Sequence, residues 1–374
     1  MTVEIKEVKT NKDLKKFILF PHSLYQKNKF WIPPLIKNEI NTLQKDKNPA
    51  FDYCDARYWL AYKKNKIVGR IGGIYNKKFI KKWRLHYANF TRFDFIDDER
   101  VSGKLLEKAQ EWALQKGAEG IHGPLGFTNF DQQAMLIKGF EELPTTASVY
   151  NYKYYPQHLE KFNFEKEIDY VEYKVKVPEK VPQKAEKLSR IVLRRFKLNL
   201  FKAESKKELL PYAEQIFDVI NKSYKDIFYS VELSQKQTEM FKKRYLSYIN
   251  PDFVSLIMDQ NKQLVGFAII MPSLSKALKK AKGRLFPLGF IHVLKALKNP
   301  KELDLYLVGI IPEYQNKGVN AVFMTDLTKT AIQKGIEQVE TNSELESNKK
   351  VQAFWKYYDA RLHKRKRVFK KSLK

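Results

Sequence analysis

The sequence predicts an α/β fold with a mixed sheet, because strand and helix patterns alternate in both halves of the chain. Residues 303–311 alternate apolar and polar side chains and then stay apolar, as in a strand that becomes buried. After Pro312, which cannot donate to a ladder, a polar turn leads into residues 319–335, where the apolar period becomes helical. Hairpin patterns precede this unit at 254–271 and occur in the first half at 58–75.

The strand, turn and helix at 303–335 have the composition of an anion-binding site. The first N–H groups of a helix have no acceptor within it, and the peptide dipoles place partial positive charge there. Lys317 would add a full charge, and Gly318 would let the backbone approach a ligand closely. The pattern predicts a phosphate-binding turn, and the alternative is an ordinary connection between a strand and a helix.

The same stretch resembles the acyl-CoA-binding motif of the GCN5-related N-acetyltransferases (GNAT), V-x-P followed by Q/R-x-x-G-x-G/A. Ile310, Pro312, Gln315 and Gly318 match the motif, whereas Asn320 stands where the family has Gly or Ala. The resemblance implies a GNAT fold and acetyl-CoA or a longer acyl-CoA as acyl donor. It also implies a set of CoA contacts, namely Ile310, Gln315, Asn316, Lys317, Gly318, Val319 and Asn320.

Amide formation from a thioester requires a polarised carbonyl, a base for the amine and an acid for the thiolate. A backbone N–H near Ile310 is the candidate for polarising the carbonyl. Asp304 and Tyr306 lie on the same predicted strand, and Glu344 lies at the end of the next one. These three side chains are the candidates for accepting the amine proton, and solvent-facing structural roles are the alternative.

The candidate acid departs from the family pattern. A helix is predicted over residues 348–358. In GNAT proteins the corresponding helix follows an Asn-x-x-Ala-x-x-x-Tyr spacing, in which the Tyr often protonates the CoA thiolate. Asn348 and Val351 fit the spacing here, but Trp355 falls at the Tyr position. An indole is a poor proton donor, so Tyr357 or Tyr358 would have to take this role through a rotation or shift of the helix, and Tyr358 is the candidate acid.

The N-terminal half repeats the order of elements and is predicted to be a degenerate GNAT-like copy. Its corresponding helix starts after Asp97, Asp98 and Glu99, which would satisfy the free N–H groups and repel a pyrophosphate. The run GPLGFTNFD at 123–131 resembles an uncharacterised bacterial tandem GNAT-like family. The aromatic-proline segment 30–35 is interpreted as a packed lid or as a ligand-contacting loop.

We predict three regions along the chain. Residues 1–173 form the degenerate domain, 174–195 a linker and helix, and 196–374 the domain with the acyl-CoA motif. Within the last region, residues 273–299 form a basic insertion without Asp or Glu and with apolar positions at helical spacing. This insertion is predicted to be a helical hairpin that lies on an anionic membrane, admits a hydrophobic substrate, or packs on its own domain.

Charge and composition limit the possible binding partners and cellular location of the protein. Lys and Arg number 70 against 42 acidic residues, a net charge of +28 that favours RNA, an anionic membrane or anionic substrates, or that simply maintains solubility. No apolar run reaches the ~20 residues of a membrane span, and the N-terminus lacks the apolar core of a secretory signal. With Cys54 as the one cysteine and six histidines outside HxxxH or HxH spacing, we expect a cytoplasmic, metal-free protein, peripheral to a membrane if the insertion binds one.

Three functions are compatible with these features. The first is an acyl-CoA-dependent N-acyltransferase that acts on an amine acceptor. The second is an aminoacyl transferase that takes aminoacyl-tRNA, because tandem GNAT-like proteins of that type are known and the basic charge suits RNA. The third is a non-catalytic binding protein in which both copies are degenerate.

Overall fold

The computed structural model describes residues 2–245 and 249–374. The first part of the chain alternates strands with helices, which we number in chain order: β1 Glu4–Glu7, α1 Asn11–Leu24, α2 Ile36–Leu43, β2 Cys54–Lys63, β3 Lys66–Asn76, α3 Lys77–Trp83, β4 Tyr87–Phe95, α4 Glu99–Gln115, β5 Gly120–Gly123, β6 Met135–Lys138, α5 Tyr154–Lys161 and β7 Glu165–Lys176.

The second part continues the numbering: α6 Gln183–Arg195, β8 Asn199–Phe201, α7 Lys206–Leu209, α8 Ala213–Ser223, α9 Gln235–Tyr245, β9 Val254–Met258, β10 Leu264–Pro272, α10 Ser275–Ala281, α11 Gly289–Lys298, β11 Glu302–Ile310, α12 Val319–Gln333, β12 Gln338–Thr341, β13 Glu344–Leu345, α13 Lys349–Gln352 and β14 Ala360–Ser372.

The chain forms two compact units. Unit 1 contains Met1–Val171, Leu274–Lys295 and His363–Lys374, and unit 2 contains Glu172–Ser273 and Ala296–Leu362. The boundary therefore falls inside β7, close to the predicted boundary at residue 173. The predicted C-terminal domain contributes two segments to unit 1, the basic insertion and the last strand.

Strands in unit 1 are arranged in the order β1-β2-β3-β4-β5, followed by the unit 1 residues of β14. β4 and β5 are parallel and pair only over Tyr87–Asn89 and Gly120–His122, although β4 continues to Phe95. In the ladder between β3 and β4, two β4 residues, Arg92 and Phe93, lie between Thr91 and Asp94 and face a single residue of β3. Such a bulge bends a strand, and it lies in the half of β4 that has left β5.

Aromatic and aliphatic side chains from the sheet, α4 and α5 form the core of unit 1, including Trp59, Phe90, Leu105, Trp112 and Leu159. One charged pair is buried close to it. Arg92 is in the left-handed region with φ 46° and donates to Glu39 on α2 over 3.2 Å. Burial by itself lowers the pKa of Arg92, but the charges of Glu39 and Asp131 and the hydrogen bond to Glu39 together hold that pKa above its usual value.

Unit 2 has the strand order β7-β12-β11-β10-β9-β8, where β7 contributes its last residues. β11 is antiparallel to β10 and parallel to β12. The apolar side of the sheet packs against α6 and α12 through Val192, Leu303, Ile310, Val322 and Phe323. This arrangement fixes the start of α12 next to the end of β11.

The basic insertion forms the two predicted helices, α10 and α11, but its segment Leu274–Lys295 belongs to unit 1. Two hydrogen bonds explain this placement. The Ser275 hydroxyl donates to the Pro144 carbonyl over 2.8 Å, and the Ile36 N–H donates to the Gly283 carbonyl over 3.1 Å. The expectation that residues 273–299 belong to the C-terminal domain thus differs from the structure.

Several boundaries differ from what the local sequence predicts. Proline usually interrupts a helix, but Pro21 lies within α1 and does not interrupt it. The sequence predicts one helix over 348–358, where the structure has a short α13 followed by a 3-10 turn at Ala353–Tyr357. It also predicts a helix over 235–248, of which α9 covers Gln235–Tyr245 and 246–248 lie outside the described residues. Among the described helices, none has both the length and the apolarity needed to cross a bilayer.

We expect Glu39→Gln to destabilise unit 1 strongly, because it leaves the Arg92 charge buried without a counter-charge. The expected loss in free energy of unfolding is about 3–5 kcal/mol, measured by urea denaturation. Glu7→Gln is the matched control, since Glu7 pairs with Arg57 at 3.7 Å between half-exposed side chains. It should cost less than about 1 kcal/mol, and equal losses would contradict this interpretation.

Candidate functional site in unit 2

The candidate site starts where β11 and β12 separate. Their parallel pairing ends with Leu305 opposite Thr341, although β11 continues for five more residues to Ile310. Opposite β10, Leu305 and Leu307 face consecutive residues, so Tyr306 is an extra residue in the ladder. The bulge bends β11 at the point of separation, and among the described residues of unit 2 no strand pairs with one edge of its second half.

Side chains from neighbouring elements bind this open edge. The Asn342 side-chain amide donates to the Tyr306 carbonyl over 3.2 Å. The Tyr224 hydroxyl, directly after α8, donates to the Val308 carbonyl over 3.1 Å. Burial raises the pKa of Tyr224 to about 12, so this hydroxyl keeps its proton near neutral pH. The two bonds satisfy backbone acceptors that a paired strand would otherwise engage.

The predicted phosphate-binding turn follows the open edge. The side-chain amide of Gln315 donates to the Ile310 carbonyl over 2.9 Å and so closes the turn onto the end of β11. Gly318 has a φ of 82° and precedes α12, whose first bond is the Ala321 N–H to the Gly318 carbonyl at 2.9 Å. Gln315, Asn316 and Lys317 are exposed, Asn320 is half-buried and Val319 is buried.

One face of the turn is covered by α6. A Cβ at Gly318 would lie 3.0 Å from Val192 and 3.8 Å from Leu188, both on α6. Lys317 lies over two aromatic rings, with its ammonium 5.3 Å from the Phe196 centroid and 5.2 Å from the Tyr314 centroid. A phosphate would therefore reach the turn from its exposed side, residues 315–317, where Lys317 keeps a positive charge.

Glu344 begins β13, two residues after Asn342, which binds the separation point. The Trp355 indole N–H donates to its two carboxylate oxygens at 3.1 and 3.3 Å. Burial raises the pKa of Glu344 to about 7, with a further contribution from Glu172, while the bonds from Trp355 and Thr341 lower it. Glu344 therefore changes protonation in the range in which a general base works best.

The other candidate catalytic residues lie in different surroundings. Asp304 is buried on β11, in register with Glu340 of β12 and before the separation point. Tyr306 is the bulged residue itself. The Tyr358 hydroxyl lies 3.3 Å from the Thr328 hydroxyl of α12, and burial raises the pKa of Tyr358. The catalytic and CoA-contact roles of these residues remain predictions.

A separate cavity of about 90 Å³ lies in unit 1, next to the part of β4 that has left β5. Its wall includes Trp31, Ile32 and Pro34 from the aromatic-proline segment. It also includes two buried ion pairs, Arg92 with Glu39 and Arg70 with Asp94, the latter at 2.7 Å. The charges on this wall are balanced, so they do not favour a charged ligand of either sign.

Sequence reasoning missed two residues of the unit 2 site. The pattern of residues 208–224 predicts a helix that ends at Tyr224, and nothing in this local pattern indicates that the Tyr224 hydroxyl reaches β11. Trp355 was noted only as a departure from the family Tyr, whereas the structure places its N–H on Glu344. The spacing of Trp355 could have indicated a site residue, because the position itself carries one in the family pattern.

The comparisons with known proteins agree with this architecture. Residues 215–358, in the C-terminal half of the chain, match the Acetyltransferase (GNAT) family. A tandem GNAT protein from the clavulanic acid biosynthesis pathway aligns with a TM-score of 0.57 and 10% identity, covering 99% of this chain and 98% of that chain. Identity this low shows the fold alone. The predicted family and the predicted tandem fold are both confirmed.

Two relatives align over nearly the full length. Protein YghO of Escherichia coli (strain K12) is 26% identical over 368 residues, covering 96% of this chain and 93% of the relative. Bacterial ceramide synthase of Caulobacter vibrioides is 23% identical over 380 residues, covering 98% and 96%. This chain is thus similar to both from end to end.

We expect Gly318→Ala to lower the free energy of unfolding more than Gly335→Ala does. Both glycines have positive φ, 82° and 63°, and the left-handed conformation costs an Ala about 1–2 kcal/mol. An added Cβ meets Val192 at position 318 but has no atom within 4 Å at position 335. Thermal denaturation of both variants measures the difference.

A double-mutant cycle with Val192→Ala isolates the contact with α6. The coupling between positions 318 and 192 should be about 0.5 kcal/mol or more. Additive effects would contradict the packing of α6 on the turn.

Proposed function

We propose that this protein is an N-acyltransferase that transfers the acyl group of acetyl-CoA or a longer acyl-CoA to an amine, with CoA bound in unit 2. The observation that carries the proposal is the separation of β11 from β12 between a glycine turn and a carboxylate whose pKa is about 7. The separation exposes backbone groups of β11, the turn offers a helix N-terminus to phosphate, and the carboxylate can take a proton.

Each residue has a defined part in the proposed reaction. A backbone N–H of β11 near Ile310 polarises the thioester carbonyl. Glu344, as carboxylate, accepts a proton from the amine, whose nitrogen then forms the new bond to the carbonyl carbon. The carbon–sulfur bond breaks, and Tyr358 supplies a proton to the leaving thiolate. Trp355 holds the Glu344 carboxylate in place through its N–H.

The acceptor we propose is a long-chain amine. Ceramides are amides in which the nitrogen of a long-chain amine carries an acyl group, and a relative similar over 98% of this chain is a bacterial ceramide synthase. The full-length similarity supports the same class of acceptor here.

Binding of acyl-CoA should raise the apparent melting temperature of the protein, because a ligand that binds the folded state stabilises it by mass action. We would compare CoA, acetyl-CoA and long-chain acyl-CoAs by thermal shift, and would then add a long-chain amine and detect the amide by mass spectrometry. A melting temperature that does not change with any of these donors would refute the proposal.

Two variants test the location of this binding. Gly318→Asp places a carboxylate in the turn and should abolish the rise in melting temperature with acyl-CoA. Lys317→Glu reverses the charge of an exposed side chain and should make that rise smaller. Gly335→Asp is the matched control, because Gly335 also has a positive φ but lies at the other end of α12. Unchanged binding in the first two variants would exclude the turn as the phosphate site.

We expect Glu344→Gln to reduce kcat by about 100-fold or more, since general acid–base catalysis typically contributes at least this much. Acyl-CoA binding should persist, because the substitution leaves the turn intact. Glu337→Gln is the control, as the Glu337 side chain is 70% exposed. A Glu344→Gln enzyme with normal kcat would assign the base elsewhere, to Asp304 or Tyr306.

The pH profile provides a second readout of the same residue. A base is active when deprotonated, so kcat/KM should rise with pH and reach half its plateau near pH 7. Trp355→Phe removes a hydrogen bond that lowers the pKa of Glu344, and the half-point should therefore move to higher pH. A profile that Trp355→Phe leaves unchanged would contradict this role for Trp355.

A further inference from the structure

The basic insertion presents an apolar surface to solvent. Five large side chains there are exposed: Phe286 (77%), Leu288 (66%), Leu294 (58%), Ile291 (49%) and Phe290 (37%). They occupy one short stretch of the chain, consisting of the loop before α11 and the first turns of α11. We call this set the apolar patch. Scattered exposed apolar residues are common in proteins, but a cluster of this size usually marks an interaction surface.

The apolar patch is held by an ordered support. Val293 is buried on α11, so one face of this helix packs against the protein and the other is exposed. Ser275 and Gly283 are hydrogen-bonded to other parts of unit 1, as described above, and Ala277, Leu278 and Ala281 are buried on α10. The exposure of the apolar patch is therefore a property of the folded insertion.

Positive charges surround the apolar patch. Lys280, Lys282, Arg284 and Lys295 are exposed, and the sequence has no Asp or Glu between residues 273 and 299. Apolar side chains with basic neighbours on a helix that lies flat are typical of segments that bind the interface of anionic membranes. α11 has 10 residues and is therefore about 15 Å long, too short to span a bilayer.

We propose that the apolar patch and its basic neighbours dock this protein on the surface of an anionic lipid bilayer. The apolar side chains enter the boundary between headgroups and acyl chains, while the lysines and the arginine contact the anionic headgroups. A second copy of this chain is a poorer occupant, because it would bring the same basic residues, and a net charge of +28, against the same surface. The proposal is independent of the transferase activity, since docking requires no substrate.

The test is flotation of the full-length protein with lipid vesicles. We expect binding to vesicles of phosphatidylcholine with 30% phosphatidylglycerol, and binding at least about tenfold weaker to phosphatidylcholine alone. Binding to the anionic vesicles should weaken as salt increases, because the headgroup contacts are screened. Absence of binding to the anionic vesicles would overturn the proposal.

Variants at the exposed positions locate the surface. Phe286→Ser combined with Ile291→Ser and Leu294→Ser should lower the partition coefficient at least about tenfold, because those side chains no longer enter the bilayer. Leu114→Ser is the matched control, as Leu114 is 51% exposed on α4 of the same unit. Circular dichroism would establish that each variant is folded. Equal binding by the triple variant and wild type would overturn the proposal.

Charge variants and self-association complete the test. Lys280→Gln with Lys282→Gln and Lys295→Gln should weaken binding to anionic vesicles and reduce its dependence on salt. Sedimentation velocity tests the competing occupant. A wild-type dimer that becomes a monomer in the triple apolar variant would assign the apolar patch to a second copy and overturn the proposal. A monomer in both cases supports docking on lipid.

Discussion

The bulge at Tyr306 is the constraint on which the unit 2 site depends. An extra residue in the ladder with β10 bends β11, and the pairing with β12 ends at Leu305. Once the strands separate, the carbonyls of Val308 and Ile310 accept hydrogen bonds from the Tyr224 and Gln315 side chains in place of a neighbouring strand. β4 of unit 1 has the same features, a bulge at Arg92 and a parallel partner that ends early. The two units thus share a bulged strand whose parallel partner ends early, but the residues around the bulge differ.

Glu344 shows how burial and hydrogen-bond donors together set the pKa of a carboxyl group. Removal from water disfavours the charged form, whereas the Trp355 N–H favours it, and the balance leaves the group half-ionised near neutrality. The same Trp occupies the position at which the family has a tyrosine. In this chain the position serves the carboxylate, and the proposed acid is supplied from Tyr358, which lies beside α12. Trp355 at this position thus binds the Glu344 carboxylate, and the proposed proton donor is a different residue.

The fold could be predicted because its determinants are local. The alternation at 303–311, the stop at Pro312 and the helical period after Gly318 each depend on a few neighbouring residues, and the structure has β11, the turn and α12 where these patterns place them. Long-range features could not be read in this way. The bond from Tyr224 to Val308 joins residues 84 positions apart, and the attachment of α10 to Pro144 joins residues 131 apart. Neither contact leaves a periodic signal in the sequence.

The path of the chain between the units has a practical consequence. Leu274–Lys295 and His363–Lys374 belong to unit 1, although both come after most of unit 2 in the sequence. No single cut can separate the units, because a cut at the boundary after Val171 would leave Leu274–Lys295 and His363–Lys374 of unit 1 on the C-terminal fragment. β14 pairs with β5 through Phe369–Ser372, so a truncated N-terminal fragment would expose an unpaired sheet edge prone to aggregation. Both units are therefore complete only in a chain that contains all of these segments.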